Sequence, residues 1–260
     1  MKENLTELIV VMDMSGSMDG VKTDAIGGFN SFLESQKALE GEANMTVVLF
    51  NSVEKVYVDN KPVKSVTPLS EKTFIPAGMT AMYDAVGGAI ERVGTRLSNM
   101  NEADRPSKVV VAILTDGAEN SSTKFTQNKV FEMIATQRDT YSWEFIFLAA
   151  GQEAFDAGRG LGMSQSKMAI FSNTSQGNSA AYDSMCMYTS SLRSCSSDDF
   201  EMVKSSSNLQ SFVDSALTQK LGTVSSGVIL DPNGASIIPT ITAKKNKKKT
   251  GVVFHKDSTN

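Results

Sequence analysis

Histidine is nearly missing from this sequence: His255 is the only one in 260 residues, and it stands close to the C-terminus. A Ser-His-Asp triad, a papain-like Cys-His pair and a His-based zinc site each need a histidine in the folded body, so these chemistries lose their central residue. Cysteine is nearly as scarce, with Cys186 and Cys195 alone. Nine steps along one helical segment would separate them by about 14 Å, about twice what the Cα atoms of a disulfide tolerate. Both therefore read as free thiols. No apolar run approaches the roughly 20 residues of a membrane span, and the opening MKENLTE lacks the basic start and apolar stretch of a signal peptide. The expectation is a cytoplasmic protein. A G-x-x-x-x-G-K-[ST] phosphate loop is absent as well, which removes the common route to ATP hydrolysis.

What is present is ordinary globular material, 40% hydrophobic, in a chain long enough for one substantial core plus an appendage. The net charge is -4, but five lysines in KKNKKK (Lys244 to Lys249) leave the remainder at -9. The body is acidic and the tail basic. Apolar runs that suit buried strands recur at Glu7 to Asp13, Met45 to Asn51, Lys108 to Asp116 and Glu144 to Gly151, with a weaker one at Met168 to Asn173. Between them lie helical stripes: Ile26, Phe29, Phe32 and Leu33; then Met82, Ala85, Val86, Ala89, Ile90, Val93 and Leu97; then Val130, Met133 and Ile134. Continuous aliphatic strands alternating with amphipathic helices predict an α/β fold, a mostly parallel sheet with helices on both faces. Glu54 to Asn60 alternates instead and follows a very short turn, which predicts one antiparallel edge strand.

Open parallel sheets place their sites at the carboxyl ends of strands. Asp13 and Asp116 both stand there, each ending an apolar run and followed closely by glycine, in DMSGS and TDG. Ser15 and Ser17 alternate with Asp13 on the same loop, and PAGMTAMYDAVGGAI (Pro76 to Ile90) places Thr80 just before a helix. Three loops can thus bring the oxygens of Asp13, Ser15, Ser17, Thr80 and Asp116 to one point. Hard oxygens with only two carboxylates suit Mg²⁺, which keeps several waters. A coordination position left open could accept a partner's own carboxylate.

At these residues the sequence resembles the von Willebrand factor A (vWA) family and its metal-ion-dependent adhesion site (MIDAS), an Asp-x-Ser-x-Ser loop followed by a Thr and an Asp on two further loops. GFNSFLESQK, FIPAGMTAMYDAVGGAIERVGTRL, LTDGAENSS and WEFIFLAAGQEAFDAG are similar to the stand-alone vWA proteins of bacteria and phages, over about Leu5 to Arg193. The resemblance implies a Rossmann-like sheet, a Mg²⁺ ion with Mn²⁺ or Ca²⁺ as substitutes, and protein binding rather than catalysis. It further implies that Ser15, Ser17 and Thr80 hold the ion through their hydroxyls, with Asp13 and Asp116 acting directly or through water. The partner would be a protein offering an Asp or Glu. On this reading residues 1–195 form the vWA domain and 196–260 a Ser-rich C-terminal extension.

Competing readings belong beside these. Asp13 to Ser17 taken alone is a helix N-terminus, where Ser and Asp cap unpaired N–H groups. A metal-dependent phosphatase would also begin with a strand and then Asp, but its general acid two residues on is replaced here by Ser15. Gly27, Gly28, Gly87 and Gly88 interrupt helices, and close helix-to-sheet packing is the expected reason. Glu119, Asn120, Ser121 and Ser122 form either a partner-facing rim or a solvated loop. Met12, Met14, Met18, Met79 and Met82 cluster near the site, and Met14 and Met18 on the loop are expected to form an apolar collar. In the extension, Leu209 to Leu221 suits a short helix and GVILDPNGASIIPTI a hairpin that would have to dock on the domain or on another chain. That makes self-association, in an assembly or particle, a further reading. Five lysines without interleaved aromatics predict at most nonspecific contact with nucleic acid.

Overall fold

The structure is a computed structural model that describes residues 1–220 of the chain. Both the GVILDPNGASIIPTI segment and the lysine run lie outside the described residues. Among these residues six strands form one sheet in the order β3-β2-β1-β4-β5-β6, comprising β1 (Lys2–Asp13), β2 (Glu42–Phe50), β3 (Glu54–Pro62), β4 (Pro106–Thr115), β5 (Glu144–Ala150) and β6 (Met168–Phe171). Only the β2–β3 pairing is antiparallel, as the alternation at Glu54 to Asn60 predicts. The central strands are buried along almost their whole length, which is why they read as continuous aliphatic runs rather than as alternating ones.

Among the described residues seven α-helices accompany the sheet: α1 (Lys22–Ala38), α2 (Met82–Ser98), α3 (Gln127–Tyr141), α4 (Gln152–Gly160), α5 (Ser175–Ser194), α6 (Phe200–Ser206) and α7 (Leu209–Lys220). One face of the sheet presents Ile9, Val11, Val111, Ile113, Phe145 and Phe147 to the apolar stripes of α2, α3 and α4. The opposite face is covered by α1 and α5, where the Tyr182 hydroxyl meets Met12 Sδ at 3.6 Å. C-terminal to position 195, α6 and α7 continue the fold, with α7 packed on α5 and β6. None of the helices among the described residues is long and apolar enough to cross a membrane.

Close packing accounts for three of the four helical glycines, although a strand of the sheet supplies the neighbour at Gly88 alone. A Cβ added at Gly28 would stand 2.1 Å from the Tyr182 ring of α5, and one at Gly87 would stand 2.7 Å from the Phe125 ring. Gly88 faces the Glu54 carboxylate, whereas Gly27 faces open space and the packing expectation fails there. Cys186 and Cys195 are both free thiols.

Candidate metal centre

β1 pairs with β2 through Asp13 and Phe50, and the Met14 N–H continues that pairing by donating to the Phe50 carbonyl at 2.6 Å. The chain then turns sharply. Asp13 Oδ1 accepts the Ser15 N–H at 2.7 Å, and a short 3-10 turn begins at Gly16. Ser15 stands at the cap position of this turn, yet its side chain makes no capping bond. Its hydroxyl lies 3.0 Å from the Ser17 hydroxyl, and Ser17 donates to Asp116 Oδ1 at 2.7 Å. The helix-cap reading of this loop therefore does not describe how its side chains are used.

The second loop is locked to the first by backbone bonds: Gly16 N–H to the Gly78 carbonyl at 3.1 Å and Ala77 N–H to the Met14 carbonyl at 3.1 Å. Gly78 has a φ of 74°, a conformation that side chains disfavour, and Ser52 Oγ would lie 2.7 Å from a Cβ placed there. Thr80, buried two residues before α2, exchanges hydrogen bonds with Asn120: its N–H donates to Asn120 Oδ1 at 2.8 Å and its carbonyl accepts the Asn120 N–H at 3.0 Å. Its hydroxyl lies beside Gly117, where an added Cβ would meet Oγ1 at 3.3 Å. Asp13, Ser15, Ser17 and Asp116 are thus joined in one chain of contacts, with Thr80 against the residue that follows Asp116.

Glu119 to Ser122, expected as a rim or a solvated loop, are half-buried or exposed and are tied to Thr80 and α2 by hydrogen bonds. Glu119 accepts the Tyr83 N–H at the start of α2 at 2.9 Å and the Ser121 and Ser122 N–H groups at 2.8 and 2.6 Å. Asp84 in turn accepts the N–H groups of Thr123, Lys124 and Phe125, each at 2.9 Å. Burial alone would raise the Asp84 carboxyl, but these three donors outweigh it and hold the pKa low.

The methionine collar needs correction. Met12, Met14, Met18 and Met82 are all buried, and Met14 turns its sulfur inward to accept the Ile75 N–H at 3.2 Å. The apolar side chains left exposed on the neighbouring loops are instead Val53, between β2 and β3, and Ile75 and Met79, on the second loop, at 68%, 57% and 54%. Two polar residues were not foreseen. Thr115, the last residue of β4, donates its hydroxyl to Asp13 Oδ2 at 2.6 Å, and Asn173 donates to Asp116 Oδ2 at 3.1 Å. Thr115 ends β4 and Asn173 lies two residues beyond β6, so both stand at the carboxyl edge of the sheet, the positional signal that marks Asp13 and Asp116.

Burial pushes the Asp13 carboxyl up to about 6, against the hydrogen bonds from Thr115 and Ser15, and the nearby Asp116 adds to the rise. Among the described residues no cationic side chain acts on it. The donor set fits a small hard cation. In a magnesium octahedron with bonds of about 2.0–2.1 Å, adjacent ligand oxygens stand about 3 Å apart, close to the spacings of 3.0 Å for Ser15–Ser17 and 2.7 Å for Ser17–Asp116. Among the described residues no three His, Cys, Asp or Glu side chains group as a metal site, so a cation here must rely on hydroxyls.

A scan of protein-family models and a search of curated proteins gave no match. Among solved structures, the chain is similar to the pilus adhesin SpaC from Lactobacillus rhamnosus GG in its open conformation, with TM-score 0.54, 13% identity, and 72% of this chain and 30% of that one covered. It is similar to proximal thread matrix protein 1 from the mussel byssus at TM-score 0.51 and 15% identity, covering 68% and 46%. It also matches a von Willebrand factor type A structure from Catenulispora acidiphila at TM-score 0.48 and 15% identity, covering 72% and 43%. The fold is Rossmann-like, a mostly parallel sheet with one antiparallel edge strand and helices on both faces, and it is shared with the SpaC and thread matrix structures. The chain spans less than half the length of each of these three structures.

Proposed function

We propose that this chain is a metal-dependent protein-binding module whose site is formed by Asp13, Ser15, Ser17, Thr80 and Asp116. The observation that carries the reading is the convergence of their loops at the carboxyl edge of the sheet, with the oxygens of Ser15, Ser17 and Asp116 spaced as neighbouring ligands of one small cation. A bound Mg²⁺ would supply a Lewis-acidic position open to a carboxylate from outside. Asp13, tied by Thr115 and the Ser15 N–H, anchors the first loop, while Ser17 and Asp116 stand nearer the surface. Val53, Ile75 and Met79 border the same loops, which suits a protein partner that places apolar side chains beside an Asp or Glu.

Two features favour binding over catalysis in this reading: Ser15 stands where a phosphatase of the aspartate type needs its general acid, and the described residues hold no histidine. Two free thiols suit a reducing compartment, and we place the protein in the cytoplasm.

Calorimetric titration of the full chain with MgCl₂ tests the metal half of the proposal. The wild type should bind one ion and Asp13→Ala/Thr80→Ala should bind none; a wild type that takes up no Mg²⁺ or Mn²⁺ ends it. Affinity capture in Mg²⁺, in EDTA and with the double variant tests the partner half. A protein retained only by wild type in Mg²⁺ supports it, and one retained equally in all three shows recognition that bypasses the site.

A further inference from the structure

Asp116 follows the last residue of β4, so its side chain leaves the sheet edge on a loop and needs outside support to hold one carboxylate plane. Both of its oxygens are engaged. Oδ1 accepts the Ser17 hydroxyl at 2.7 Å and Oδ2 accepts the side-chain amide of Asn173 at 3.1 Å. Asn173 comes from none of the three loops that supply the candidate ligands; it lies between β6 and α5, two strands away from β4 in the sheet. We propose that Asn173 is a positioning residue of the site, setting the orientation in which Asp116 faces a cation. The assignment rests on the metal reading given above.

The orientation of the Asn173 amide is itself determined. Its Oδ1 accepts from Asn178 Nδ2 at 3.2 Å, and Asn178, 3% exposed in the first turn of α5, is fixed by donating also to the Thr174 carbonyl at 3.0 Å. With the oxygen committed to Asn178, the NH₂ must face Asp116. The connection carrying Asn173 is tight as well. Thr174 caps α5 by accepting the Gly177 N–H at 3.2 Å, and a Cβ on Gly177 would fall 2.0 Å from the Ser172 carbonyl oxygen. Asn173 is therefore a solvent-facing side chain on an anchored backbone.

The chemistry of the amide matters. A lysine there would bring its own positive charge to Asp116 and compete with a cation, and an aspartate would repel the carboxylate. A neutral N–H donor orients one oxygen and leaves the full negative charge for a metal. Outer partners that orient metal ligands commonly contribute 10- to 100-fold in affinity.

The test compares full-length wild type, Asn173→Ala and the near-isosteric Asn173→Leu, titrated with MgCl₂ and with MnCl₂, with melting of each recorded in EDTA. We expect both variants to bind Mg²⁺ about tenfold more weakly than wild type while melting with it in EDTA. Equal affinity in all three proteins overturns the assignment and leaves the metal reading standing. Affinity losses that track a lowered melting point in EDTA also overturn it, because Asn173 would then act through the fold. A wild type that binds neither ion removes both the metal reading and this one.

Discussion

At the scale of single residues, β1 carries two buried carboxylates that are treated differently. Glu7, 1% exposed, accepts from Arg96 at 2.6 Å and from the Thr46 hydroxyl at 3.2 Å. Burial still holds its pKa above the ordinary glutamate value, with Arg96 opposing the rise. Asp13 has hydroxyl and N–H donors but, among the described residues, no such counter-ion. The strand therefore holds one matched carboxylate in its interior and one unmatched carboxylate at the edge where a cation is proposed. The matched pair gives a test with a definite sign. In Arg96→Met, Glu7 loses its guanidinium and its folded pKa climbs further above the unfolded one, so the variant loses stability as pH rises from the unfolded value through the folded one. Urea denaturation should show a deficit of about 3 kcal/mol at neutral pH that shrinks toward the unfolded glutamate value. A deficit that stays constant with pH would mean that Arg96 contributes packing alone.

At the scale of elements, the third loop of the site is fastened to α2 by carboxylates in addition to the packing of Phe125 against Gly87. Asp84→Ala removes the acceptor for three N–H groups, but Thr123 and Lys124 are exposed and can turn to water. Global stability should therefore fall by only about 1–2 kcal/mol, while amide exchange at Thr123 to Phe125 should accelerate far more than in α2 itself. Unchanged exchange there would show that Glu119 and Asn120 hold the loop without Asp84. These fasteners were not legible in the sequence, because GAENSS reads equally as a rim or a solvated loop until α2 is placed beside it. The strands were legible, since burial on both faces leaves an unbroken aliphatic run. So was the placement of Asp13, Ser15, Ser17, Thr80 and Asp116 on loops between strand and helix. Helix α4 was not: its nine residues contain Gly158 and Gly160, and Gly158 is there because a Cβ would stand 2.7 Å from Phe147 and Met168. The methionines misled because composition does not say which way a side chain turns, and Met14 and Met18 turn inward.

At the scale of the molecule, α5 runs from the site to the opposite edge of the sheet, its 20 residues spanning about 30 Å. Its first turn holds Asn173 through Asn178, and its last carbonyls are held by the buried Lys108, whose ammonium donates to Leu192 at 3.0 Å, to Arg193 and to Cys195. The helices beyond it complete its burial. Phe200, Leu209, Phe212, Val213 and Ala216 are all buried, with Phe212 edge-on to Tyr188 at 5.9 Å. Tyr188 donates to Glu144 at 2.5 Å, Lys167 bridges to the same carboxylate at 3.2 Å, and Lys167 also reaches the Lys204 carbonyl of α6. Fully burying apolar side chains of this size contributes about 1.5–3 kcal/mol each, so losing several of them is comparable with the whole net stability of about 5–15 kcal/mol for a domain. A chain ending at Arg193 should accordingly show no cooperative melt, whereas one ending at Lys220 should melt in a single transition. The distinction governs any search for self-association through the C-terminal extension. A cut at Arg193 exposes the apolar seat of α6 and α7 and would create aggregates of its own, so only a cut at or beyond Lys220 separates oligomerisation by the remaining residues from damage to the fold. If the chain ending at Arg193 melts cooperatively and at the same temperature as the longer one, α6 and α7 contribute nothing to the domain, and the earlier cut becomes the right one.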